Sequence, residues 1–351
     1  MQRRKINLYH IVRLRGFKGL MWDNDHLYVS KGYTLFRMNL KNLRGGNIML
    51  EKIGSYKPDI VRGLASKNRI LTRLFRAGFH AVRMWDSEII GIVAKNIVKF
   101  DEKGNKFVSV FKIKRGTRPF GIAVTPEGKL YWGEYFDNKE RDEVYVYGSE
   151  DGGYSWDIVY TFPKGSIRHI HNIFYDSYEN CLWVLTGDYG KEPKIIKFST
   201  DWRTIDIICE GTQQARAASM IFRENKIYYA TDTELEQNYI YSIDRKTGKI
   251  ERLLPLPGPS IFASEAGKYM FVSTHSEPGR LFNPYAFLYI SEDGEEWFEC
   301  LKWRKDKLHP LFFQYGSIIL PYGKTPYNYL AATGRAVDSE DGYLNIWKIE
   351  E

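Results

Sequence analysis

Short apolar strands that close on a small or polar residue recur along the whole chain, and a second strand running into a polar turn follows each of them. Strands of the first kind are "HLYVSK" (26–31), "EIIGIV" (88–93), "KLYWGE" (129–134), "CLWVLTGD" (181–188), "KIYYATD" (226–232) and "YMFVSTH" (269–275). Short apolar runs separated by turns rich in Gly, Asn and Asp are typical of β-structure. The pattern therefore predicts an all-β protein.

The strands repeat in groups of four. Another apolar strand, such as "PFGIAV" (119–124), precedes the strand of the first kind, and an outer strand follows the polar turn. Each group takes roughly 45 residues, the size of one β-propeller blade. We count seven blades, and six or eight would follow from misassigning one repeat; they lie at 17–56, 78–115, 117–163, 164–210, 211–257, 258–303 and 308–349.

The last of these groups lacks an outer strand of its own. The unassigned stretch "KINLYHIVRL" (5–14) could supply it. Because pairing of the two chain ends leaves no open sheet edge, we predict that the N-terminal strand joins the last blade. The whole chain, 1–351, is then a single β-propeller domain.

One segment departs from this rhythm. "LASKNRILTRLFRAG" (64–78) places Leu64, Ile70, Leu71 and Leu74 at helical spacing with basic residues between them. We predict a short amphipathic helix inserted between the first two blades. A helix that caps the ring is the interpretation we favour, and a helix that binds a partner or nucleic acid is the alternative.

The amino-acid composition limits the classes of partner and the cellular compartment that we expect. The 351 residues include 51 Lys and Arg against 43 Asp and Glu, a net charge of +8, which favours an anionic partner. No Lys/Arg run resembles a nucleic-acid-binding tail, so we expect an acidic carbohydrate rather than nucleic acid. No apolar run approaches a membrane span and the start does not resemble a signal peptide, so we expect no membrane partner. The three cysteines lack metal-type spacing and predict a reducing, cytoplasmic location.

Two polar turns carry a family resemblance. "SEDGGYSW" (149–156) fits the pattern S-x-D-x-G-x-x-W through Ser149, Asp151, Gly153 and Trp156, and "SEDGEEW" (291–297) is a shortened form. The pattern resembles the Asp-box of BNR-repeat, sialidase-like β-propellers. The resemblance implies a structural hairpin whose Asp accepts hydrogen bonds from turn amides, as Asp does in turns generally. The chain differs from sialidases in lacking their Phe-Arg-Ile-Pro start motif and a clear Tyr/Glu nucleophile pair.

The chain also has a looser similarity to propeller polysaccharide lyases such as the oligogalacturonate lyases. These enzymes place histidines, including a His-x-His pair, on a central metal and use an arginine. His169 and His171 match that pair in spacing. The similarity implies cleavage of an acidic glycan.

Candidate chemistry falls at two corresponding positions of the repeat. The starts of the innermost strands carry cations and imidazoles, and a comparable segment adds His309 with Gln314 just beyond it: His80, Arg118, His169, His171, Arg216 and His309. The ends of the next strands and their loops carry mainly carboxylates: Glu134, Tyr135, Asp188, Asp232, Glu234, Glu236, His275 and Glu277. Because propeller blades surround a central channel, we predict a ring of cations and imidazoles facing a ring of carboxylates at its mouth.

Elimination on a uronic acid would use the cations. Arg118 and Arg216 would neutralise the sugar carboxylate, and His169 or His171 would remove the α-proton. Tyr135 is the alternative base or acid.

Two other chemistries remain open. Glycoside hydrolysis needs a carboxylate pair, for which Glu134, Asp188 and Asp232 are the candidates. A metal site would use His169, His171 and His275 with Gln314 or a carboxylate, and imidazole and oxygen ligands suit Mn, Zn or Fe. Calcium is a further candidate cofactor.

The leading hypothesis from sequence is a carbohydrate-active enzyme, a polysaccharide lyase or a glycoside hydrolase. Its substrate-binding residues would be Arg118, Arg216, His80, Glu236, His275 and Gln314. The alternative is a non-catalytic platform that binds a glycan or a protein. In that case, we expect the polar residues at the channel mouth to satisfy one another in ion pairs.

Overall fold

The computed structural model describes residues 6–43, 48–279 and 282–350 and consists mostly of β-strands. The strands of the first third are β1 (Asn7–Arg15), β2 (Phe17–Asp23), β3 (His26–Lys31), β4 (Thr34–Asn39), β5 (Leu50–Tyr56), β6 (Phe79–Trp85), β7 (Glu88–Val93), β8 (Asn96–Asp101) and β9 (Lys106–Lys112). Those of the middle are β10 (Ala123–Val124), β11 (Leu130–Gly133), β12 (Val144–Ser149), β13 (Asp157–Phe162), β14 (His169–Asp176), β15 (Cys181–Gly187), β16 (Lys194–Ser199), β17 (Ile205–Glu210), β18 (Ala217–Phe222), β19 (Lys226–Thr231), β20 (Asn238–Asp244) and β21 (Ile250–Leu256). The last are β22 (Ser260–Ala266), β23 (Tyr269–Ser276), β24 (Tyr285–Ser291), β25 (Phe298–Arg304), β26 (Gly316–Ile319), β27 (Lys324–Thr325), β28 (Tyr329–Arg335) and β29 (Tyr343–Glu350).

Helices are short. They are α1 (Leu40–Leu43), α2 (Ile60–Ala65), α3 (Arg69–Leu74) and α4 (Pro310–Phe313), with one 3₁₀ turn at Gln213–Ala215. The segment expected to be helical, 64–78, thus contains the end of α2 and all of α3. No helix within the described residues has the length and hydropathy needed to cross a bilayer.

The chain divides into two compact units. The first comprises Met1–Gly78, Phe262–Glu277 and Phe282–Glu351, and the second comprises Phe79–Ile261 and Pro278–Leu281. A single domain over 1–351 stays a prediction.

The second unit is made of antiparallel four-stranded meanders. Strands β6–β9, β10–β13, β14–β17 and β18–β21 pair in sequence order within each group. Apolar side chains of successive meanders pack together; Val146 of β12, for example, shares a fully buried cluster with Leu182 and Val184 of β15. Inner strands are therefore apolar on both faces, as expected for a sheet covered on both sides.

The first unit has the same construction. Strands β2–β5 form one antiparallel group and β22–β25 another. A third group has the order β26-β28-β29-β1, so that its outer strand comes from the other end of the chain. The pairing runs from Asn7 with Glu350 to Arg15 with Tyr343.

The outer strand of a group carries a bulge at a repeated position. On β13, for example, Val159 is skipped between the pairs Val146–Tyr160 and Tyr147–Ile158. The same one-residue skip occurs in the outer strands β5, β9, β17, β21 and β25. Strand β1 has it too, at Ile11, between the pairs with Ile346 and Trp347 of β29. Since a bulge is a specific feature of a strand's place in a sheet, β1 occupies the outer-strand position of the last group.

Both Asp-box-like turns are closed by their own side chains. Asp151 accepts hydrogen bonds from the amides of Tyr154 and Ser155, and the Trp156 indole donates to the Gly153 carbonyl. Burial alone would raise the pKa of Asp151, but these bonds, with those from the Ser155 and Ser149 hydroxyls, outweigh it and lower that pKa well below its usual range. The turn after Ser291 repeats the arrangement around Asp293.

Candidate functional site

The candidate site lies in the second unit, where β14 begins and β15 ends. His169 pairs with Gly187, so Asp188, the residue after β15, lies beside the start of β14. The register of this pair skips His171, and a bulge of this kind turns a side chain in a new direction. The His171 ring occupies the space over Gly187, where a Cβ atom would come within 2.6 Å of the ring. Glycine is therefore required beneath the imidazole.

Backbone carbonyls hold both imidazoles in one tautomer. Nδ1 of His169 lies 3.0 Å from the Phe136 oxygen, and Nδ1 of His171 lies 2.8 Å from the Ala217 oxygen. A carbonyl can only accept a hydrogen bond, so each Nδ1 carries a proton. The lone pair of a neutral ring is then on Nε2.

Both Nε2 atoms converge on one carboxylate oxygen. Nε2 of His171 lies 2.9 Å from Oδ1 of Asp188, and Nε2 of His169 lies 3.4 Å from the same oxygen. Two lone pairs facing a carboxylate repel it unless a proton or a cation lies between them. Burial lowers the pKa of His169 despite the opposing effect of Asp188, so this ring is neutral at pH 7. Its buried Nε2 makes no hydrogen bond among the described residues.

Two arginines flank the same carboxylate. Nη1 of Arg168 lies 3.3 Å from Oδ2 of Asp188, and Nη2 of Arg216 lies 3.5 Å from Oδ1. Burial alone would raise the pKa of Asp188, but its contacts with His169 and His171 outweigh it, and that pKa lies far below its usual range. Asp188 is consequently an anion at pH 7.

An outer layer of acidic and aromatic side chains covers the arginines. Arg168 pairs with the exposed Asp137, and Nη1 of Arg216 lies 2.5 Å from Oε2 of Glu234. The guanidinium carbons of Arg168 and Arg216 lie 5.6 and 5.5 Å from the ring centre of Tyr189, whose hydroxyl donates to Glu234 over 2.9 Å. Burial would lower the pKa of Arg216, but the charges of Asp232, Asp188 and Glu234 raise it on balance.

Several buried polar atoms of this cluster have no hydrogen-bond partner within the described part of the chain. They are Nε of Arg168, Nε of Arg216, Nε2 of His169 and Oε1 of Gln213. The Gln213 amide nitrogen donates to the Asp188 carbonyl over 3.0 Å, which places the orphaned oxygen in the same neighbourhood. Because buried polar groups are nearly always paired, this concentration indicates a site for water, an ion or a polar ligand.

Among the residues expected from sequence, some are brought together. His169, His171, Asp188 and Arg216 share the contacts described above, and the Tyr135 ring lies 4.3 Å from the His169 ring. Asp232 hydrogen-bonds through its amide to the Arg216 carbonyl over 2.8 Å.

Phe120 links two further expected residues to this neighbourhood. It packs against Tyr135 at 4.7 Å between ring centres, and His80 of β6 stacks on it at 6.4 Å. Arg118 lies two residues before Phe120, half-buried in the segment between β9 and β10.

Glu134 has a different set of contacts. Its buried carboxylate is paired with Arg115 and accepts the Tyr145 amide over 3.0 Å. Burial, the largest influence, raises the pKa of Glu134 in spite of this pairing. Neighbouring donors thus engage both oxygens of the Glu134 carboxylate, as in a structural role.

The other expected residues lie elsewhere. Glu236 is exposed in the loop between β19 and β20. In the first unit, Nε2 of His275 lies 2.8 Å from Glu277, and the Gln314 amide donates to the Arg73 carbonyl over 2.9 Å.

Sequence analysis missed Arg168 as a site residue. Strand alternation predicts that Arg168 faces away from the His169 and His171 side chains, but it reaches the same carboxylate as they do. Arg168 precedes β14, so the alternation of side chains along that strand does not determine where its long side chain reaches. Its position next to a His-x-His pair was the available signal.

The donor set fits a divalent metal in type and spacing. The Nε2 atoms of His169 and His171 and a carboxylate oxygen of Asp188 all lie within 4.8 Å of one another. Ligands held at about 2.1 Å from a metal lie roughly 3.0–3.4 Å apart in octahedral or tetrahedral geometry, close to the 2.9 and 3.4 Å observed here. Carbonyls that fix Nδ1–H are the usual outer partners of metal-binding histidines. The charges of Arg168 and Arg216 oppose a cation.

Comparison with known proteins gives fold relatives only. No family model matches the chain, and no curated protein sequence matches it. Among solved structures, an oligogalacturonate lyase in complex with manganese is similar over 99% of this chain and 96% of its own, with a TM-score of 0.59 and 8% sequence identity. The oligogalacturonate lyase of Vibrio parahaemolyticus is similar over 98% and 92%, with a TM-score of 0.54 and 10% identity.

A chain of the mitotic checkpoint complex is similar to the same degree, over 99% of this chain and 95% of its own, with a TM-score of 0.55 and 10% identity. A fold shared with proteins of such different roles does not indicate an activity. The prediction of an all-β fold built from four-stranded sheets is confirmed, and the looser similarity to propeller polysaccharide lyases holds at the level of fold.

Proposed function

We propose that the chain is a β-propeller of seven blades that binds an acidic carbohydrate at the Asp188 cluster and cleaves it by β-elimination. The observation that carries the proposal is the convergence of two imidazoles, with Nε2 directed inward, on one carboxylate flanked by two arginines. Likeness to two oligogalacturonate lyases supports the carbohydrate class but only through the fold.

Arginine in this setting suits a uronic acid. A guanidinium binds a carboxylate through paired N–H donors, and neutralising the sugar carboxylate makes the adjacent carbon-bound proton removable. Arg168 and Arg216 are the arginines that lie together here. We expect the substrate carboxylate to replace Asp137 and Glu234 as their partner.

His169 is the proposed base. Its neutral Nε2 would take the proton from the carbon that bears the carboxylate, the electron pair would form the carbon–carbon double bond, and the glycosidic oxygen on the neighbouring carbon would leave. Tyr135, in contact with His169, is the alternative base or acid. The ring of Tyr189, between the guanidiniums and partly exposed, offers a stacking surface for a sugar.

A divalent metal would be held by His169, His171 and Asp188. When bound, it would supply positive charge that stabilises the negative charge developing on the substrate. Because Nε2 of His169 would then hold the metal, Tyr135 would be the base.

Elimination fits the site better than hydrolysis. Hydrolysis needs one protonated and one ionised carboxylic group facing the same bond. The pKa of Asp188 is lowered, so this residue does not suit the role of the acid. Burial raises the pKa of Glu134, but both of its carboxylate oxygens are engaged by Arg115.

A non-catalytic binding platform is the second candidate. The ion pairs Arg168–Asp137, Arg216–Glu234 and Arg115–Glu134 are the mutual satisfaction expected for that function. In that case, the same arginines bind an anionic glycan or protein without chemistry.

Mass spectrometry separates these functions. The purified protein is incubated with uronic-acid oligosaccharides, beginning with oligogalacturonates, and with neutral oligosaccharides as the substrate control. Elimination gives fragments whose masses sum to that of the substrate, one of them carrying an unsaturated sugar with ultraviolet absorbance, whereas hydrolysis adds one water.

Two variants complete the test. We expect His169→Ala to abolish cleavage, whereas His309→Ala, at an exposed histidine outside the cluster, should keep it. Fragments that have gained one water would indicate a hydrolase instead of a lyase. Binding of these oligosaccharides without cleavage of any of them would indicate the non-catalytic binding function.

A further inference from the structure

Three short helices of the first unit carry large apolar side chains that face solvent. α2 exposes Ile60 and Leu64, α3 exposes Leu74, and α4 exposes Leu311 and Phe312, with exposed fractions from 40% for Leu74 to 82% for Ile60. We name these five side chains the apolar platform. A surface helix usually turns its polar face to water, so helices with this distribution present an interaction surface.

The helices beneath the platform are firmly joined. Arg73 of α3, only 3% exposed, donates from Nε to the Phe313 carbonyl over 2.8 Å and pairs with Asp306. In return, the Gln314 amide donates to the Arg73 carbonyl. The Thr72 hydroxyl donates to the Ala65 carbonyl over 3.1 Å, which ties α3 to α2. The apolar platform therefore lies on helices that these contacts hold in fixed positions.

The surroundings of the platform are basic. Residues 57–76 contain six Lys and Arg against one Asp. Arg62, Arg69 and Arg73 have acidic partners. The exposed Lys57, Lys67 and Arg76 make no ion pair with any described residue. Unpaired cations beside exposed aliphatic and aromatic side chains are the two components of interfacial membrane binding.

We propose that the apolar platform docks the protein onto an anionic lipid bilayer, with the five side chains in the interfacial region and Lys57, Lys67 and Arg76 at the headgroups. A second copy of the chain would bring two basic rims together, and their like charges oppose that contact. A nucleic acid would use the cations but leave the aliphatic side chains in water. Ile60 and Leu311 project far into solvent, as inserting residues do, whereas the lining of a peptide groove is partly covered.

This inference revises one expectation from sequence. The absence of a long apolar run excludes a spanning segment, not a surface contact. Interfacial binding needs only a local apolar face with nearby cations. It is independent of the proposed carbohydrate site, because none of its residues belongs to the Asp188 cluster.

Vesicle co-sedimentation of the full-length protein tests the proposal. We expect binding to vesicles of phosphatidylcholine with phosphatidylserine, weaker binding to phosphatidylcholine alone, and a decrease with salt because the headgroup contribution is screened. Leu64→Asp with Leu311→Asp should lower the partition coefficient about tenfold or more, since a charge opposes entry into the apolar layer. Ile205→Asp, at an exposed apolar residue of β17 in the second unit, is the matched control and should bind like the wild type.

Lys57→Glu with Lys67→Glu separates the two components. This variant should lose the preference for anionic vesicles and its salt dependence. Equal sedimentation of the Leu64/Leu311 variant and the wild type, or no binding to either vesicle, would overturn the proposal. A dimer in size-exclusion chromatography that the same variant dissociates would also overturn it, and would assign the platform to a protein contact.

Discussion

Nε2 of His171 lies 2.9 Å from Oδ1 of Asp188, while Nδ1 of the same ring donates to the Ala217 carbonyl. Both nitrogens of this imidazole therefore face an acceptor, which a neutral ring cannot satisfy alone. Either a second proton or a bound cation must lie between His171 and Asp188. Two arginines direct further positive charge at the same carboxylate, so Asp188 holds the cluster together.

Removing the charge of Asp188 should destabilise the protein. Asp188→Asn leaves Arg168 and Arg216 without this buried counter-charge, and we expect the free energy of unfolding to fall by about 3 kcal/mol. Urea denaturation followed by circular dichroism measures it. Asp137→Asn, which removes an exposed partner of Arg168, is the control and should change the stability little, because solvent screens an exposed ion pair. Equal effects of the two substitutions would contradict a central role for Asp188.

A divalent metal should stabilise the protein through the same cluster. We expect Mn²⁺ at 100-fold over its dissociation constant to add about 2.7 kcal/mol to the free energy of unfolding, observed as a rise in Tm that a chelator reverses. His169→Ala and His171→Ala should each remove the rise, and His309→Ala should keep it. If neither Mn²⁺ nor Zn²⁺ changes the wild-type Tm, the cluster does not bind a metal, and a proton lies between His171 and Asp188.

Competition with internal carboxylates should limit the binding of acidic sugars. Asp137→Asn releases Arg168 from its exposed partner, and we expect the affinity for a uronic-acid oligosaccharide to rise several-fold. Isothermal titration calorimetry measures the change. Asp142→Asn, which removes a similarly exposed acid paired with Lys164, controls for the general change in net charge. Weaker binding by the Asp137 variant would mean that this carboxylate contacts the ligand directly.

The Arg73–Asp306 pair should make stability depend on pH. Burial would raise the pKa of Asp306, but hydrogen bonds from Arg73 and Lys305 outweigh it and lower that pKa below its ordinary 3.8. A lowered folded-state pKa stabilises the folded protein above pH 3.8, and this contribution is lost as pH falls through the folded value.

Asp306→Asn therefore should destabilise at pH 7, by roughly 2–3 kcal/mol, and its difference from the wild type should shrink below pH 4. Thermal melting at a series of pH values gives the comparison, with Asp338→Asn, at an exposed acid between β28 and β29, as the control. A constant difference across the series would exclude the linkage.

Local pattern predicts the strands well because each one is short, apolar and bounded by turn residues. The stretch expected at 26–31 is β3, and "KIYYATD" contains β19, Lys226–Thr231. Features that depend on pairing between separate strands are harder to predict from the local pattern. Alternation along β14 places His169 and His171 on one face, but the bulge at His171 and the carboxylate that both imidazoles approach depend on pairing with β15, which the local pattern does not contain.

The structure was also needed to distinguish the candidate site carboxylates Glu134 and Asp188. Glu134 and Asp188 occupy corresponding positions in the repeat, and both carry a carboxylate. Only their contacts distinguish them: Arg115 and the Tyr145 amide for Glu134, two imidazoles and two arginines for Asp188. Arg115 and Arg168 lie 19 and 20 residues before the carboxylates they bind, so each pair depends on how the strands come together.

Closure by β1 is the long-range feature that the sequence did predict, and its bulge allows a sharp test. Val12 is 3% exposed and packs in the core of the first unit with Leu344 and Ile346, whereas the adjacent Ile11 is the skipped residue and is 38% exposed. Val12→Asp places a charge among apolar side chains, so we expect the free energy of unfolding to fall by roughly 3 kcal/mol or more. Ile11→Asp adds the same charge one residue away and should change it by less than about 1 kcal/mol. Chemical denaturation of the two variants measures both values, and similar losses would mean that β1 does not dock in this register.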